Sequence, residues 1–500
     1  MQTLAQRPRI STLRLGADRD HDSYKWWALS CTSLGMLLAT INSGTLIIAL
    51  PDLERSLHTS LLELVWVILV YMIASTVLVL SAGRLSDQFG RKRSYILGFV
   101  VFALASLGAG FAANGTQLIL WRIVQGIGGS FLFANAAAIV TDAFPREQLG
   151  LAMGTNTMVA AVGLVIGPVL GGALVAISWP WVFWFNVPLG LAGSAWGALI
   201  LRELSRSEES RRFDFAGTIT FLVGLTGLVL GISKGGLTGW DSPLVIGGLI
   251  AAAVLLPVFV LIERHHPAPM LDLSIFSSRL FSAAAAAAFI NGLARFALMF
   301  VFVFYFQGVQ GNSPILAGIK LAPLALGMLI ASPLSGIWAD RRGSRGIGVL
   351  GMLVQAAGLA LMTTLGRDTG YLASGSYLFI TGVGSGMFMS PNTAAMMGTV
   401  APSRRGIAAG ARVLVMNTGA VISIAFVLAV VTNSVPKSVL FSVFSGLAHH
   451  ISTAELAPFI SNMHTALWCL AVVSLLGAFV AAARPSHRES TATEPRVATS

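Results

Sequence analysis

The feature that most constrains this chain is a succession of apolar segments with few or no charges, each about 20 residues long or longer. An α-helix needs about 20 apolar residues to cross the hydrocarbon core of a bilayer. Helices are favoured there because lipid offers no water to satisfy the backbone N–H and C=O groups. Only 11% of the 500 residues are charged, whereas a soluble domain carries about 25%. The sequence therefore predicts an all-α integral membrane protein.

Fourteen segments of this kind can be counted, and we expect each to be a transmembrane helix. They cover residues 26–50, 63–82, 94–113, 117–140, 149–177, 180–201, 215–233, 244–262, 280–306, 315–338, 346–366, 371–396, 407–432 and 464–483. The first 25 residues lack the short apolar core and small-residue cleavage site of a signal peptide. The tails 1–25 and 484–500 are rich in Arg, Ser and Thr, and we expect both to be disordered.

The distribution of Lys and Arg predicts the orientation, because cytoplasmic loops carry an excess of both. With the N-terminus inside, 24 of these residues lie on the cytoplasmic side and four lie on the other: Arg55, Lys234, Arg367 and Lys437. Both termini are thus predicted to be cytoplasmic, in the plasma (inner) membrane of a prokaryotic cell. This distribution also explains the net charge of +11 without a nucleic-acid partner.

The sequence contains an internal repeat, which indicates two related halves. The segment Gly83–Lys92 recurs as Gly336–Arg345, at an offset of 253 residues, and Gly126–Gly128 recurs as Gly382–Gly384. We therefore predict a six-helix bundle over 26–202 and a second over 280–483. The segment 203–279 carries two extra helices and joins the bundles.

The fifth apolar segment carries glycines at a regular spacing. They are Gly154, Gly163, Gly167, Gly171 and Gly172, with Pro168 after the third. Gly154, Gly163, Gly167 and Gly171 follow one another at intervals of nine, four and four residues, so several of them share one flank of a helix. Small residues let helix backbones approach closely, which is a main source of helix association in lipid. The simpler interpretation is a packing helix of any multi-span protein.

This glycine pattern resembles, position for position, the fifth-helix "antiporter" motif of major facilitator superfamily exporters. The fourteen segments and the repeat resemble the fourteen-span drug:proton antiporter branch of that family, over nearly the whole chain. The resemblance implies two pseudo-symmetric six-helix bundles that rock around a central cavity to give alternating access. It also implies export of amphiphilic drugs or metabolites, coupled to protons.

The repeated segment resembles the family's cytoplasmic latch, a contact that forms and breaks during alternating access. The first copy contains Gly83, Asp87, Gly90 and Arg91, and we expect it to form a loop over 83–93. The resemblance implies Asp87 and Arg91 as the working pair. The second copy contains Gly336, Asp340 and Gly343, but Ser344 stands where the first has Arg91. A basic loop that obeys the positive-inside rule is the alternative.

Polar residues inside the apolar segments are candidates for the cavity, because placing them in lipid is costly. They are Asn42, Arg122, Gln125, Asn291 and Arg295. Family members often have Asp where this chain has Asn42, and an amide cannot titrate. The 253-residue offset aligns Asn42 with Arg295, for which the alternative is a structural bond to helix carbonyls. We assign Lys320 and Arg412 to structure, and the turn around Trp179–Pro188 to the membrane interface.

No enzyme motif is present, and we expect no catalytic residue, cofactor or metal site. The chain also lacks a phosphate-binding loop, so we expect that ATP does not drive transport directly. His449, His450 and His464 are interpreted as incidental. The sequence predicts a monomeric secondary transporter in a lipid bilayer that exports small amphiphiles. One alternative is a proton-independent or anion-preferring exporter of a metabolite or lipid, because the mid-membrane charges are cationic. The other is a non-transporting membrane sensor or scaffold, in which the latches would be idle.

Overall fold

The structure, a computed structural model, describes residues 21–145, 148–203, 214–267, 269–400, 405–444 and 451–484. Within these ranges all regular structure is helical. The α-helices are α1 (His21–Leu57), α2 (Leu61–Phe89), α3 (Arg91–Ala109), α4 (Gly115–Ala143), α5 (Leu149–Ile177), α6 (Trp181–Trp184), α7 (Asn186–Ile200), α8 (Phe215–Thr238), α9 (Pro243–His265), α10 (Arg279–Phe304), α11 (Pro314–Arg342), α12 (Ser344–Met362), α13 (Tyr371–Gly398), α14 (Arg405–Thr432), α15 (Lys437–Phe444) and α16 (Thr453–Ala482). A 3₁₀ turn precedes α10 and a π-helical turn, Tyr305–Val309, extends it.

Thirteen helical segments in the described ranges are long and apolar enough to cross a membrane, with α6–α7 and α10 with its π-turn each forming one segment. Together with α13 they match the fourteen predicted spans. Helix α13 has 28 residues, but Gly, Ser, Thr and Asn make it less apolar than the others. The prediction of an all-α, multi-span membrane protein is confirmed.

The helix pairs of the first bundle recur in the second. In the first, α1 packs on α5, α2 and α3 pack on α4, and α3 packs on α7. In the second, α10 packs on α14, α11 and α12 pack on α13, and α12 packs on α16. The inserted hairpin α8–α9 packs against α2 and α14. The bundles meet where α5 contacts α11 and where α2 contacts α14, which are equivalent pairs under the repeat.

The expected loop over 83–93 is wrong. Helix α2 continues to Phe89, and α3 begins at Arg91, so a single residue separates them. That residue is Gly90, whose φ of +103° lies in a region that side chains disfavour. Gly343, with φ +86°, makes the same one-residue break between α11 and α12. A glycine thus ends each helix without a loop, and Gly83 and Gly336 lie inside helices.

Two ends of the molecule are useful references for the site. At the α2–α3 end, α2 joins α3; at the α1–α2 end, α1 joins α2. Helix α1 is longer than predicted and includes Pro51. Helix α15 and the start of α16 both lie at the α1–α2 end.

Candidate functional site

Arg122 of α4 lies inside the first bundle and is only 1% exposed. Its Nε donates to the Val67 carbonyl of α2 at 2.9 Å, and its Nη1 donates to Oε1 of Gln125. Its guanidinium lies 4.2 Å from the centre of the Tyr71 ring. The charge is therefore stabilised by a carbonyl, an amide and an aromatic face, since a cation over a ring is attracted by the ring quadrupole.

Gln125 extends this contact to three other helices. Its Nε2 donates to Asn42 Oδ1 on α1 at 3.2 Å and to Ser106 Oγ on α3 at 2.6 Å. Asn186 Nδ2 on α7 donates to the same Asn42 oxygen at 3.2 Å. We call Asn42, Ser106, Arg122, Gln125 and Asn186 the polar network. All five are buried, and no described carboxylate contacts any of them.

The structure thus brings together three predicted residues, Asn42, Arg122 and Gln125, and adds two that the sequence analysis missed. Asn186 was assigned to the interfacial aromatic turn, but its side chain is fully buried. Ser106 was hidden in an apolar segment. Asn186 Oδ1 has no hydrogen-bond partner and is a spare polar atom in this region, and the Tyr71 hydroxyl lies close to the Asn42 amide.

The second bundle holds its buried polar groups differently. Asn291 Nδ2 donates to Gln355 Oε1 at 2.8 Å. Arg295, one helical turn further, is 7% exposed, and its nearest partners are Met328 Sδ at 3.8 Å and the Phe296 ring at 4.2 Å. Its Nε has no partner. The alternative of a bond to helix carbonyls finds no support among the described contacts.

A cavity of about 10 Å³, enough for about one water, lies beside Asn291. It is lined by Ala288, Asn291, Phe388, Met389, Asn392, Thr393, Arg412 and Met416. Arg484 stacks near the same Phe388, at 5.8 Å. Its three guanidinium nitrogens have no hydrogen-bond partner, and burial lowers the pKa of Arg484 to about 10. The interior of the second bundle is therefore cationic.

At the α2–α3 end, Arg91 joins three helices. Its Nε donates to Asp87 Oδ1 at 2.9 Å, and its Nη1 donates to both carboxylate oxygens of Asp142 at 2.6 and 2.7 Å. The same Nη1 reaches the Ala138 carbonyl at 3.3 Å. The predicted pair Asp87–Arg91 is thus in contact, and Asp142 of α4 is a third member that the sequence analysis did not identify.

The second latch copy keeps the backbone of the first but lacks the counterparts of Arg91 and Asp142. Gly336 faces Ser390 Oγ of α13, 3.0 Å from where a Cβ would lie. Ser344 replaces Arg91, and the residue 256 positions after Asp142 is Gly398. The side chain of Asp340 lies outside the described residues, as do the histidines 449 and 450.

The α5 glycines contact both bundles through the backbone. A Cβ on Gly163 would lie 2.2 Å from Thr40 Oγ1, one on Gly167 3.0 Å from Gly44 Cα, and one on Gly171 2.6 Å from Thr45 Cα, all on α1. On the next flank, a Cβ on Gly172 would lie 2.6 Å from Ile315 Cα of α11.

Pro168 belongs to the same contact. Its carbonyl lies 2.3 Å from where a Cβ on Gly318 of α11 would be. Gly154 is in α5, but its surroundings lie outside the described side chains. Helix α5 is therefore in backbone contact with α1 of its own bundle and with α11 of the other, towards the α1–α2 end.

Comparison with known proteins decides the family. Residues 32–424 match the profile of the Major Facilitator Superfamily. The chain belongs to the Major Facilitator Superfamily. Membership agrees with the repeated helix pairs and the inserted hairpin, and it makes the chain a membrane transporter and not an enzyme.

Similar proteins within this superfamily include exporters. The chain is 30% identical over 395 residues to the tetracenomycin C resistance and export protein of Streptomyces glaucescens, covering 79% of this chain and 73% of that protein. It is 32% identical over 419 residues to multidrug resistance protein 3 of Bacillus subtilis, covering 83% and 81%.

The fold is also similar to a solved structure. A bacterial homolog of the human lysosomal transporter Spinster, in an inward-facing and unoccupied conformation, aligns with a TM-score of 0.65 over 92% of this chain and 96% of that one. The two sequences are 16% identical, so this likeness concerns the fold alone.

Proposed function

We propose that this transporter exports hydrophobic or amphiphilic drugs or metabolites across the plasma membrane by alternating access. One relative, at 30% identity, is named a resistance and export protein, and another, at 32%, a multidrug resistance protein. The observation that supports the mechanism most directly is the contact of α5 with both α1 and α11. A contact made by bare backbone between rigid bundles lets one slide or rock against the other without side chains that must first disengage.

In this proposal the α2–α3 end is cytoplasmic, in accordance with the excess of Lys and Arg there. Both termini then lie inside the cell. The triad Asp87–Arg91–Asp142 sits at that end and closes the first bundle internally. It can act as a latch if one conformation of the cycle breaks an ion pair that another makes, because a state-specific contact shifts the balance between states.

The charge of the interior guides the choice of substrate. Arg122 and Arg295 are both buried, and neither is contacted by a described carboxylate. Two cations beside a low-dielectric cavity attract an anion and repel a cation. We therefore propose that the transporter binds neutral or anionic amphiphiles better than dications.

Proton coupling is the second part of the proposal. The polar network contains no titratable carboxylate, so a proton-carrying residue must lie elsewhere or transport must be independent of protons. The carboxylates near helix ends are the candidates if antiport occurs. A proton-independent, anion-preferring exporter is the second candidate function, and the neutral network around Arg122 favours it.

The test uses inverted membrane vesicles, in which export appears as uptake. Matched fluorescent amphiphiles of cationic, neutral and anionic charge are supplied with and without a pH gradient. We expect saturable uptake of the neutral and anionic dyes that is absent from vesicles prepared without the transporter. Equal uptake by both vesicle preparations would contradict the transport function, and a preference for dications would contradict the charge argument.

A further inference from the structure

The inserted hairpin contains a pair of buried carboxyl groups that the polar network does not use. Asp214 precedes α8 and is 3% exposed, and Glu263 lies in the last turn of α9 and is 2% exposed. A Cβ placed on Gly217 would lie 2.5 Å from Asp214 Oδ2 and 2.8 Å from Glu263 Oε1. These two oxygens are therefore at most 5.3 Å apart, the sum of those distances.

Three of the four carboxyl oxygens accept backbone hydrogen bonds. Asp214 Oδ1 accepts from Gly217 N at 2.7 Å and Oδ2 from Met270 N at 3.4 Å. Glu263 Oε2 accepts from Leu271 N at 2.8 Å. The fourth, Glu263 Oε1, is buried without any donor and faces the other carboxyl group. A buried acceptor without a donor is costly, and two close carboxylates resist ionising together.

One proton held between the two groups resolves both costs. It gives Glu263 Oε1 its missing hydrogen bond and leaves a single negative charge on the pair, as in dyads that titrate as a unit. Arg84 of α2 is close enough to stabilise that charge. A metal ion fits poorly, because it needs several free oxygen ligands and three of these four oxygens already accept N–H groups.

The pair lies where the hairpin is fixed to the rest of the molecule. Asp214 caps α8, whose Thr218 hydroxyl is 3.1 Å from the Ser81 hydroxyl of α2. Met270 and Leu271, whose backbone the pair binds, lead directly into the second bundle. The same few residues therefore connect the hairpin, the helix that carries Asp87, and the chain segment between the bundles.

We propose that Asp214 and Glu263 form a proton-binding site, and that release of its proton loosens the docking of the α8–α9 hairpin on α2. The proton leaves to water at the α2–α3 end, and the pair changes from one negative charge to two. The second charge repels the first and exceeds what Arg84 balances, so the junction opens. This proposal can be tested independently of what the chain exports, because proton binding and docking can both be measured without substrate.

The first measurement is infrared difference spectroscopy of the purified full-length protein in lipid. We expect a protonated-carboxyl band that is lost as the pH is raised, because two close buried carboxylates resist ionising together. Glu263→Gln and Asp214→Asn should each remove this band. Glu263→Gln keeps the hydrogen bond from Leu271 N, and its N–H would occupy the place of the proton. Asp214→Asn keeps only one of its two backbone hydrogen bonds, because an amide has a single acceptor oxygen. Glu455→Gln, an exposed carboxylate in the capping box of α16, is the matched control and should keep the band.

The second measurement follows docking through cross-linking of a Ser81→Cys/Thr218→Cys pair, with Cys31 and Cys469 replaced by Ala. Thiol chemistry depends on pH itself, so the yield is divided by that of the same pair carrying Glu263→Gln. We expect this ratio to fall as the pH rises. A band that survives both carboxyl variants, or a ratio that stays flat across the pH series, would overturn the proposal.

Discussion

The two bundles share a backbone plan and differ in how they treat charge. In the first, Arg122 is bonded to a carbonyl and an amide, and Arg91 lies between two carboxylates. In the second, Arg295 touches only a thioether and a ring, and Ser344 stands where Arg91 would be. The glycine breaks Gly90 and Gly343 are nevertheless the same.

This difference indicates a division of labour between the halves. A cation with its hydrogen bonds satisfied is held in place and contributes structure, whereas one without strong partners keeps its charge available to a ligand. We infer that the first bundle is the rigid partner, locked by its network and by the Arg91 triad. The second bundle then presents the cationic surface. Each of the following predictions sets a residue of one half against its counterpart.

The largest effect is expected from the two contacts between the bundles. Gly172→Ala would place a methyl group against the backbone of Ile315 and Pro314, which cannot move aside, whereas Gly410→Ala meets only the flexible end of Leu80. Overpacking costs about 1–3 kcal/mol, so we expect a loss of transport of about tenfold or more for Gly172→Ala, since 1.4 kcal/mol is tenfold. Gly410→Ala should transport at nearly the parent rate.

Dye uptake at matched membrane levels measures both variants. Gly171→Leu, which faces α1 of the same bundle at an equally short distance, tests the other backbone contact of α5. Normal transport by Gly172→Ala and Gly171→Leu together would mean that α5 does not form the working contact.

Substitution of Arg122 should affect stability, whereas substitution of Arg295 should affect substrate preference. Arg122→Met leaves Gln125 Oε1 without its donor, so we expect a loss of about 1–3 kcal/mol in stability for this buried group left unsatisfied. Arg295→Met removes no strong hydrogen bond and should leave the melting temperature unchanged or higher. Its expected effect is weaker transport of anionic dyes relative to neutral ones.

Thermal unfolding in detergent and uptake of the matched dyes give the two readouts. Should Arg295→Met unfold as readily as Arg122→Met, the distinction between a structural and an available cation would be lost.

Substitutions in the two latch copies should also differ in effect, and the larger loss of transport is expected in the first bundle. Asp142→Asn and Asp87→Asn each weaken the contacts of Arg91, and we expect transport to fall several-fold at unchanged membrane level, because a charge-assisted hydrogen bond is about twice as strong as a neutral one. Asp340→Asn, in a copy without the arginine, should have little effect. Transport assays at equal expression compare the three, and an equal loss in all of them would show that the copies work alike.

The smallest expected change is one of preference. Asn42→Asp places a titratable group beside Gln125, two contacts from Arg122, where an opposite charge can balance the guanidinium. We expect it to shift uptake from anionic towards cationic dyes and to steepen the pH dependence. A pH series with both dyes measures this, with Asn291→Asp in the other bundle as the control. An unchanged preference in Asn42→Asp would place the substrate's charge recognition elsewhere.

Sequence alone predicted the helices because hydropathy and length report the thickness of the bilayer directly. It failed at 83–93, where charges and glycines indicate a loop but α2 continues until Gly90 ends it. The glycine flank of α5 was also readable, since a fixed helical period places 163, 167 and 171 on one side.

The convergence of side chains was not readable in the same way. Asn42, Ser106 and Asn186 come from three helices that neighbour one another only after packing, and nothing local marks Ser106 in an apolar run. Asp142 lay at a helix end like several other carboxylates. The useful signal for Asn186 was its position just inside a span, where an uncompensated amide would be expensive.

The α5 contact has a consequence for how such a transporter can diversify. Main-chain atoms are the same whatever residues flank them, so a joint built from Gly171, Gly172 and the backbone of their neighbours places no demand on the residues that line the cavity. Substitutions there can alter which compounds are recognised while the moving joint stays as it is. Substrate recognition and the conformational change therefore depend on separate parts of the sequence, and either can evolve while the other stays unchanged.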